Sequence, residues 1–445
     1  MIVMKFGGTS VRDGAAMDRA CSIVAARIDR APVVVVSAMS GVTSDLLEAV
    51  RLAREGAASE VRSVFGRLRR QHLELLPALE AELDRLGETL EEALGVDSPA
   101  MTDRIAVYGE ILSSGIFASR LGGHVPATHV DARELVATDD RFTRANPIFE
   151  TTRQNVRERL GPLVRAGAAV VVGGYMGQTE DGRTTTLGRG GSDYTATLLG
   201  AALDAEEVEI WTDVDGMMTA DPRIIGEAWT IRHISFAEAS ELAYFGAKVL
   251  HPSTLLPAVR NGIPVRVLNS MRPEGSGTLI TAEAPAGQTP VKAFACKRGI
   301  TGITITSSRM LLAYGFLRAL FEVFERHKTS VDVVTTSEVS VSLTTDDDSA
   351  LVGIVADLEA FGTVRVERDL ALVSIVGAHL KDRPGIASQA FGCLEDINVR
   401  MISQGASNIN LSFVVHESVA DRVMRRLHDR FFSQPEPEIF ERVVG

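Results

Sequence analysis

The chain opens on a short apolar run containing one lysine, IVMKF (2–6), which Gly7 and Gly8 bring to a stop. A run of this length bounded by glycine reads as a buried strand. Met17, Ala20, Cys21, Val24 and Ile28 then recur at helical spacing, and VVVVS (33–37) is a continuous β-branched run of the kind buried on both faces of a sheet. From about 44 to 94 the pattern is helical, with Leu79, Leu83, Leu86, Leu90 and Leu94 on one stripe and acidic residues opposite. Further buried strands follow at AVVVGGY (169–175), VEIWTDV (208–214) and PVRVLNS (264–270). Ser235 and Glu238 form a capping box that opens the helical stretch FAEASELAYFGAKVL (236–250). Repeated strand–helix units predict an α/β layered domain with a mostly parallel sheet, whose ligands sit beyond the C-terminal strand ends.

Around 272–292 the pattern lapses into a Pro/Gly-rich stretch, RPEGSGTLITAEAPAGQTP, that reads as a linker. Beyond it, residues 314–345 have an echo in residues 383–415. Each has a glycine (Gly315, Gly385) before an amphipathic helix, then a strand, a polar turn and an alternating strand. Two copies of a small βαβ-type module account for this.

Composition narrows the function. The 445 residues carry a net charge of −12 and no long block of like charge, so a basic nucleic-acid face is not expected. Apolar runs fall well short of a membrane span, and too few apolar residues precede Lys5 for a signal peptide. Cys21, Cys296 and Cys393 are far apart and at no metal-ligand spacing, which fits buried thiols in a reducing cytoplasm. The nine histidines form no helical pair, and no protein-built metal site is expected. Only six of the 46 basic residues are lysine (Lys5, Lys248, Lys292, Lys297, Lys328, Lys381). In so arginine-rich a chain, a lysine prompts the question whether a compact point charge is needed.

Three loops carry candidate chemistry. In KFGGTS (5–10), the two glycines allow close backbone approach to a ligand, and Lys5 with the following helix N-terminus favours an anion; a plain strand–helix turn is the alternative. In LGRGGSD (187–193), Arg189 can clamp a carboxylate at the entry of the next helix, or be a surface residue with Asp193 an N-cap. In TDVDG (212–216), Asp213 and Asp215 either face a magnesium–nucleotide or form the turn. Glu110, alone on an apolar helix, taken by itself reads as solvent-facing.

Together KFGGTSV, GRGGSDYTA, TDVDG…DPR and FGAKVLHP resemble the aspartokinase family, and SVDVVTTSEVSVSLT (330–344) resembles the tail of its monofunctional, lysine-sensitive type. The resemblance covers nearly the whole chain. It implies an amino-acid-kinase αβα sandwich over 1–282 and two ferredoxin-like ACT domains, 293–368 and 369–445, with 416–445 a candidate to complete the first. It also implies transfer of the ATP γ-phosphoryl, with Mg2+, to the β-carboxylate of L-aspartate, the first step towards lysine, threonine, methionine and isoleucine. By that resemblance Lys5 and Asp193 are catalytic, and Thr43, Glu110, Arg189 and Ser192 bind aspartate. Lys5, Gly7, Gly8, Ser37, Thr212, Asp213, Met218, Arg223 and Lys248 bind the nucleotide. Relatives usually carry tyrosine where this chain has Met218, which implies altered nucleotide affinity.

Met310, Gly315, Phe316, Leu317, Asp332, Ser337 and Glu338 match an amino-acid effector site for lysine or threonine. Leu312, Ala313 and Tyr314 replace more polar residues there. A homodimer or homotetramer paired through the ACT domains is expected, in the cytoplasm, with no room for a fused dehydrogenase. The alternatives are an idle ACT-type sensor and an amino-acid kinase acting on another carboxylate.

Overall fold

The computed structural model describes residues 1–245, 250–285, 290–311 and 314–442. The chain divides into two compact units. The first comprises Met1–Met217, Arg232–Phe236 and Val249–Ala284, and the second Met218–Ile231, Ala237–Lys248 and Pro285–Gly445.

The first unit is built on an eight-stranded sheet: β1 (Ile2–Phe6), β2 (Pro32–Val36), β3 (Ala127–Val130), β4 (Ala169–Gly173), β5 (Glu207–Thr212), β6 (His233–Ser235), β7 (Val265–Asn269) and β8 (Thr278–Thr281). Their spatial order is β3-β4-β2-β1-β5-β7-β8-β6. All neighbours are parallel except β7 and β8. The apolar runs predicted as strands are strands, and β1, β2 and β4 are buried throughout because helices cover both faces.

Residues two apart on a strand share a face. Ile2, Met4 and Phe6 join one core with α1 (Gly14–Ala25), α2 (Val42–Arg54), α3 (Ala58–Leu75), α4 (Glu80–Glu92) and α6 (Tyr108–Leu121), while α5 (Pro99–Ala106) adds Ile105. The helical stretch expected over 44–94 is thus α2, α3 and α4. α7 (Phe149–Arg165) and α8 (Gly191–Leu203) follow. α8 lies on the other face, so close that a Cβ at Gly200 would meet Val208 Cγ2 at 2.7 Å and Val3 Cγ2 at 3.9 Å. Lys5 alternates onto this second face with Val3, and that is what aims it at α8.

The second unit holds a six-stranded antiparallel sheet: β9 (Val291–Thr306), β10 (Val334–Thr336), β11 (Ser340–Thr345), β12 (Thr363–Gly377), β13 (Met401–Gln404) and β14 (Asn410–His416), in the order β10-β11-β9-β12-β14-β13. β9 and β12 are long enough to serve both repeats. Thr301–Thr306 pairs with β11 and with the first half of β12, and Val291–Lys297 pairs with the second half of β12. β14 pairs with the Leu370–Val376 half of β12 on one side and with β13 on the other.

The first repeat, with α9 (Phe316–Arg326) and α10 (Leu351–Leu358), is therefore an excursion between the two halves of the second, which holds α11 (Ile386–Gly392) and α12 (Ala420–Phe431). The 416–445 segment, a candidate to complete the first repeat, packs elsewhere. Phe431 and Phe432 meet Phe294, in the 291–297 half of β9. Two stretches within 1–282 group with this unit: in Met218–Ile231, Trp229–Ile231 runs antiparallel to Phe440–Arg442 and Thr219 O accepts from Phe294 N, and in Ala237–Lys248 the Tyr244 hydroxyl donates to Asp332. The helix Phe236–Tyr244 starts directly after Ser235, as the capping pattern predicts.

Candidate active site

The C-terminal ends of β1, β2, β4 and β5 finish level. Gly7 N donates to Trp211 O (3.0 Å), Ser37 N to Phe6 O (3.1 Å) and Gly174 N to Val36 O (2.9 Å). The loops beyond these ends line a cleft of about 1140 Å³. Lys5, Gly8, Ser37, Thr43, Glu110, Arg189, Ser192 and Asp193 all line it. Residues drawn from four separate stretches of sequence thus meet in one place.

Lys5 is 9% exposed, and its Nζ lies 2.6 Å from Asp193 Oδ1. Asp193 sits in the first turn of α8, whose N-cap is Gly190 (φ +72°), so Asp193 is not the N-cap. Ser192 is 8% exposed beside it. Arg189 stands exposed between Gly188 (φ +75°) and Gly190, two positions in the left-handed region that glycine favours. No carboxylate among the described residues pairs with Arg189. Thr43 lies in the first turn of α2, after Gly41 (φ +86°).

Glu110 overturns its reading as a solvent-facing acid. It is 4% exposed in the first turn of α6, Oε1 accepts from Ala38 N (3.1 Å), and Oε2 has no hydrogen-bond partner. Its face is set by that backbone contact, which hydrophobic periodicity cannot register. Burial pushes its carboxyl up to about 8, against lowering by the Ala38 amide and Lys5. The same helix pins the β2 loop, since Ser113 Oγ donates to Ser37 O (2.7 Å).

The first loop also departs from expectation. A short 3-10 turn, Gly8–Val11, separates it from α1, which begins at Gly14 and is capped by Asp13 accepting from Ala16 N (2.8 Å). That helix N-terminus already faces a carboxylate, and the Gly7 amide is committed to Trp211. Gly7 therefore contributes room: a Cβ there would lie 3.5 Å from Lys5 Nζ, and one at Gly8 only 2.9 Å from Ala38 O.

Other predicted residues lie outside the cleft lining. Thr212 ends β5, its hydroxyl on Asp213 (3.2 Å) and its carbonyl accepting from Ser270 N (2.8 Å). Asp215 is paired with Arg272 and accepts from Asn269 (2.8 Å), while Asp213 has no ion pair among the described residues. Met218 and Arg223 fall in the second unit. Met218 bridges Thr230, and the exposed Arg223 grips Asp221 with two nitrogens, at 3.0 and 2.6 Å. Lys248, Leu312 and Ala313 lie outside the described residues.

Within the second unit, Gly315 (φ +82°) is the N-cap of α9. Phe316 opens that helix edge-on to Phe361, and Leu317 is exposed. Met310 ends a 3-10 turn, Tyr314 is fully exposed, and Ser337 closes a turn on Ser340 (2.7 Å) beside Glu338, which is exposed.

Asp332 is held from inside. Its side chain is 2% exposed, and Oδ1 takes both Lys297 Nζ (2.9 Å) and the Tyr244 hydroxyl (2.9 Å). Lys297 also reaches Asp346 (2.7 Å) and lies 5.2 Å from the Tyr244 ring centroid. Asp332 Oδ2 is buried without a hydrogen-bond partner. Sequence reasoning did not assign Lys297 a role, although the scarcity of lysine had singled it out. It also missed Asp103, a buried acid on α5 that lines the cleft and looks like an ordinary polar position on an amphipathic helix.

The family model described as "Amino acid kinase family" matches residues 1–269, and an ACT domain model matches 373–431. The chain is 41% identical to lysine-sensitive aspartokinase 3 of Escherichia coli (strain K12), covering 97% of this chain and 99% of that one. It is 38% identical to the chloroplastic aspartokinase 3 of Arabidopsis thaliana, covering 97% and 81%. Among solved structures, E. coli aspartokinase III with aspartate and ADP (R-state) superposes with a TM-score of 0.82 at 40% identity, over 97% of this chain and all of that one. The same enzyme with lysine and aspartate (T-state) gives 0.81 at 41%, over 97% and 99%.

Proposed function

Because the chain belongs to the aspartokinases of the amino acid kinase family, we propose that it transfers the γ-phosphoryl of ATP to the β-carboxylate of L-aspartate, giving 4-phospho-L-aspartate. The observation that carries the residue assignment is the convergence of Lys5, Asp193, Glu110 and Arg189 on one cleft at the strand ends.

The attacking carboxylate has an ordinary pKa near 4 and arrives ionised, so the reaction needs no general base. It needs alignment and neutralisation of charge on the phosphoryl in transit. Lys5 supplies that charge, and Asp193 fixes its ammonium on the α8 side of the sheet. Arg189 takes the α-carboxylate of aspartate as a two-pronged donor. Glu110 takes the amino group through Oε2, the oxygen without a partner. Thr43 and Ser192 complete the aspartate contacts.

Gly7, Gly8 and Ser37 leave space for the phosphates, and Thr212 and Asp213, at the end of β5, belong to the nucleotide. Among the described residues no cluster of three His, Cys, Asp or Glu stands ready for a metal. A Mg2+ that enters on the ATP phosphates needs one or two protein carboxylates at most, and Asp193, on the cleft lining beside Lys5, would supply one. Bound there, it neutralises phosphate charge.

An amino-acid effector, lysine or threonine, acts at the second unit, with its ammonium directed to Asp332. The ACT modules pair between chains as a homodimer or homotetramer in the cytoplasm. Aspartate-dependent ADP release from Mg-ATP tests the reading. Turnover with aspartate and none with glutamate, acetylglutamate or UMP is expected; turnover with one of those and none with aspartate overturns it.

A further inference from the structure

The cleft holds more positive charge than the assignments above use. Of its acids, Asp193 is matched by Lys5. Asp103, 1% exposed, is enclosed by donors: Oδ2 accepts from Thr143 N (2.9 Å) and Thr186 N (3.0 Å), and Oδ1 from the Thr186 hydroxyl (2.8 Å). Glu110 is turned to Ala38 N. Two guanidinium groups on the lining, Arg189 and Arg144, then have no carboxylate partner among the described residues.

Arg144 is exposed on the loop 139–146, and that loop is fastened from beneath. Thr143 sits in the left-handed region (φ +69°), rare for a β-branched residue, with its amide on the buried Asp103. Ala145 N donates to Thr186 O (2.9 Å). Arg144 consequently lies over the backbone of Gly188, where a Cβ would come within 3.3 Å of Arg144 Cγ and 3.2 Å of Thr143 O. Gly188 immediately precedes Arg189, so the stem of one arginine rests on the turn that presents the other.

We infer that Arg144 is a second substrate-binding cation, contacting a carboxylate of the acidic amino acid alongside Arg189, with Asp103 as the residue that positions its loop. This rests on the proposed aspartate site. A dicarboxylic substrate presents two anionic groups and one cation, which two arginines and Glu110 match in number. Nucleotide phosphate is the other anion present, but contact with the turn of the aspartate-binding Arg189 assigns Arg144 to the amino acid.

Steady-state kinetics on the full-length protein, with each substrate varied in turn, tests this. Loss of a charge-assisted hydrogen bond in Arg144→Gln should raise the aspartate KM about tenfold or more, well beyond any fall in kcat. The ATP KM should stay near wild type, and Arg144→Lys should recover part of the loss. Asp103→Asn, which touches no substrate, should raise the aspartate KM more mildly. Calorimetric titration of aspartate into each variant reads the same loss without turnover, and thermal melting confirms that the variant is folded. An unchanged aspartate KM in folded Arg144→Gln, or a rise confined to ATP, overturns the inference. A wild-type protein without aspartate-dependent turnover instead overturns the parent reading.

Discussion

Glu110 shows how much one side chain's setting can change its chemistry. With its carboxyl pushed up to about 8 by burial, it is mostly protonated at neutral pH in the substrate-free cleft. An ammonium ion favours the ionised form, so binding aspartate at pH 7 should release close to one proton. Calorimetry in buffers of different ionisation enthalpy measures this, and Glu110→Gln should abolish it. The sign for stability follows from the same shift. The unfolded carboxyl ionises near 4.5 while the folded one stays protonated, so its contribution is full below pH 4.5 and fades as pH rises to about 8. Glu110→Gln should therefore flatten that part of the stability profile.

For Lys5 the prediction concerns rate. Lys5→Ala should lower kcat by about 10³-fold or more while circular dichroism stays native, because charge on the phosphoryl is then unmet. A small effect would remove Lys5 from the mechanism. Lys5 and Arg189 stand out in the sequence because Gly7 and Gly8 follow closely on the one and Gly188 and Gly190 bracket the other. The burial of Glu110, which the resemblance had assigned to aspartate, and the place of Asp103 were not legible there, because their environments are made by Ala38, Thr143 and Thr186, which are distant in sequence.

At the level of elements, β1, β2, β4, β5 and β7 could be read from apolar runs, but β3 and β6, short and less apolar, could not. The long antiparallel strands could not. β9 passes through CKRG and β12 through ERD, polar stretches that resemble linkers. Register shifts around Lys297–Gly302 and the left-handed Asp369 (φ +56°) absorb those interruptions and let each strand continue.

Lys297 sits at the edge of that irregularity, where it ties β9 to Asp332, Asp346 and the helix carrying Tyr244. Two carboxylates share one ammonium, leaving one negative charge over. Lys297→Met should cost roughly 1–3 kcal/mol, since the pair is largely buried but Lys297 keeps some solvent contact. Free lysine or methylammonium should restore more of the melting temperature of this variant than it adds to wild type. Equal effects on both proteins would show that Lys297 does not fill the place of a ligand ammonium.

For the whole molecule, the question is what the second unit senses. Effector control requires a ligand to favour one state over another, typically by about 1–3 kcal/mol. Lysine titrated into the protein should release or absorb heat and inhibit turnover, with threonine as the competing candidate. Neither heat nor inhibition with lysine at millimolar concentration would remove it as the effector. Sedimentation should find at least a dimer, and a monomer at assay concentration would remove the proposed pairing. The sequence displayed the repeat clearly enough to suggest two modules in tandem. Their actual threading depends on which half of a strand pairs with which, and that is a property of register.

The threading has a consequence for how such a gene can be cut and rejoined. Ile300 and Leu370 are partners across β9 and β12, so the excursion between them leaves and returns at one point. Deleting it and joining the flanks with a short turn would leave Val291–Lys297 and Leu372–Gly377 already paired as a hairpin under β14. A cut at residue 369, where the tandem reading draws its boundary, would instead divide β12, keeping Gly302–Thr306 with Thr363–Glu367 but parting Val291–Lys297 from Leu372–Gly377. The first repeat is thus an insertion, and the second is its frame.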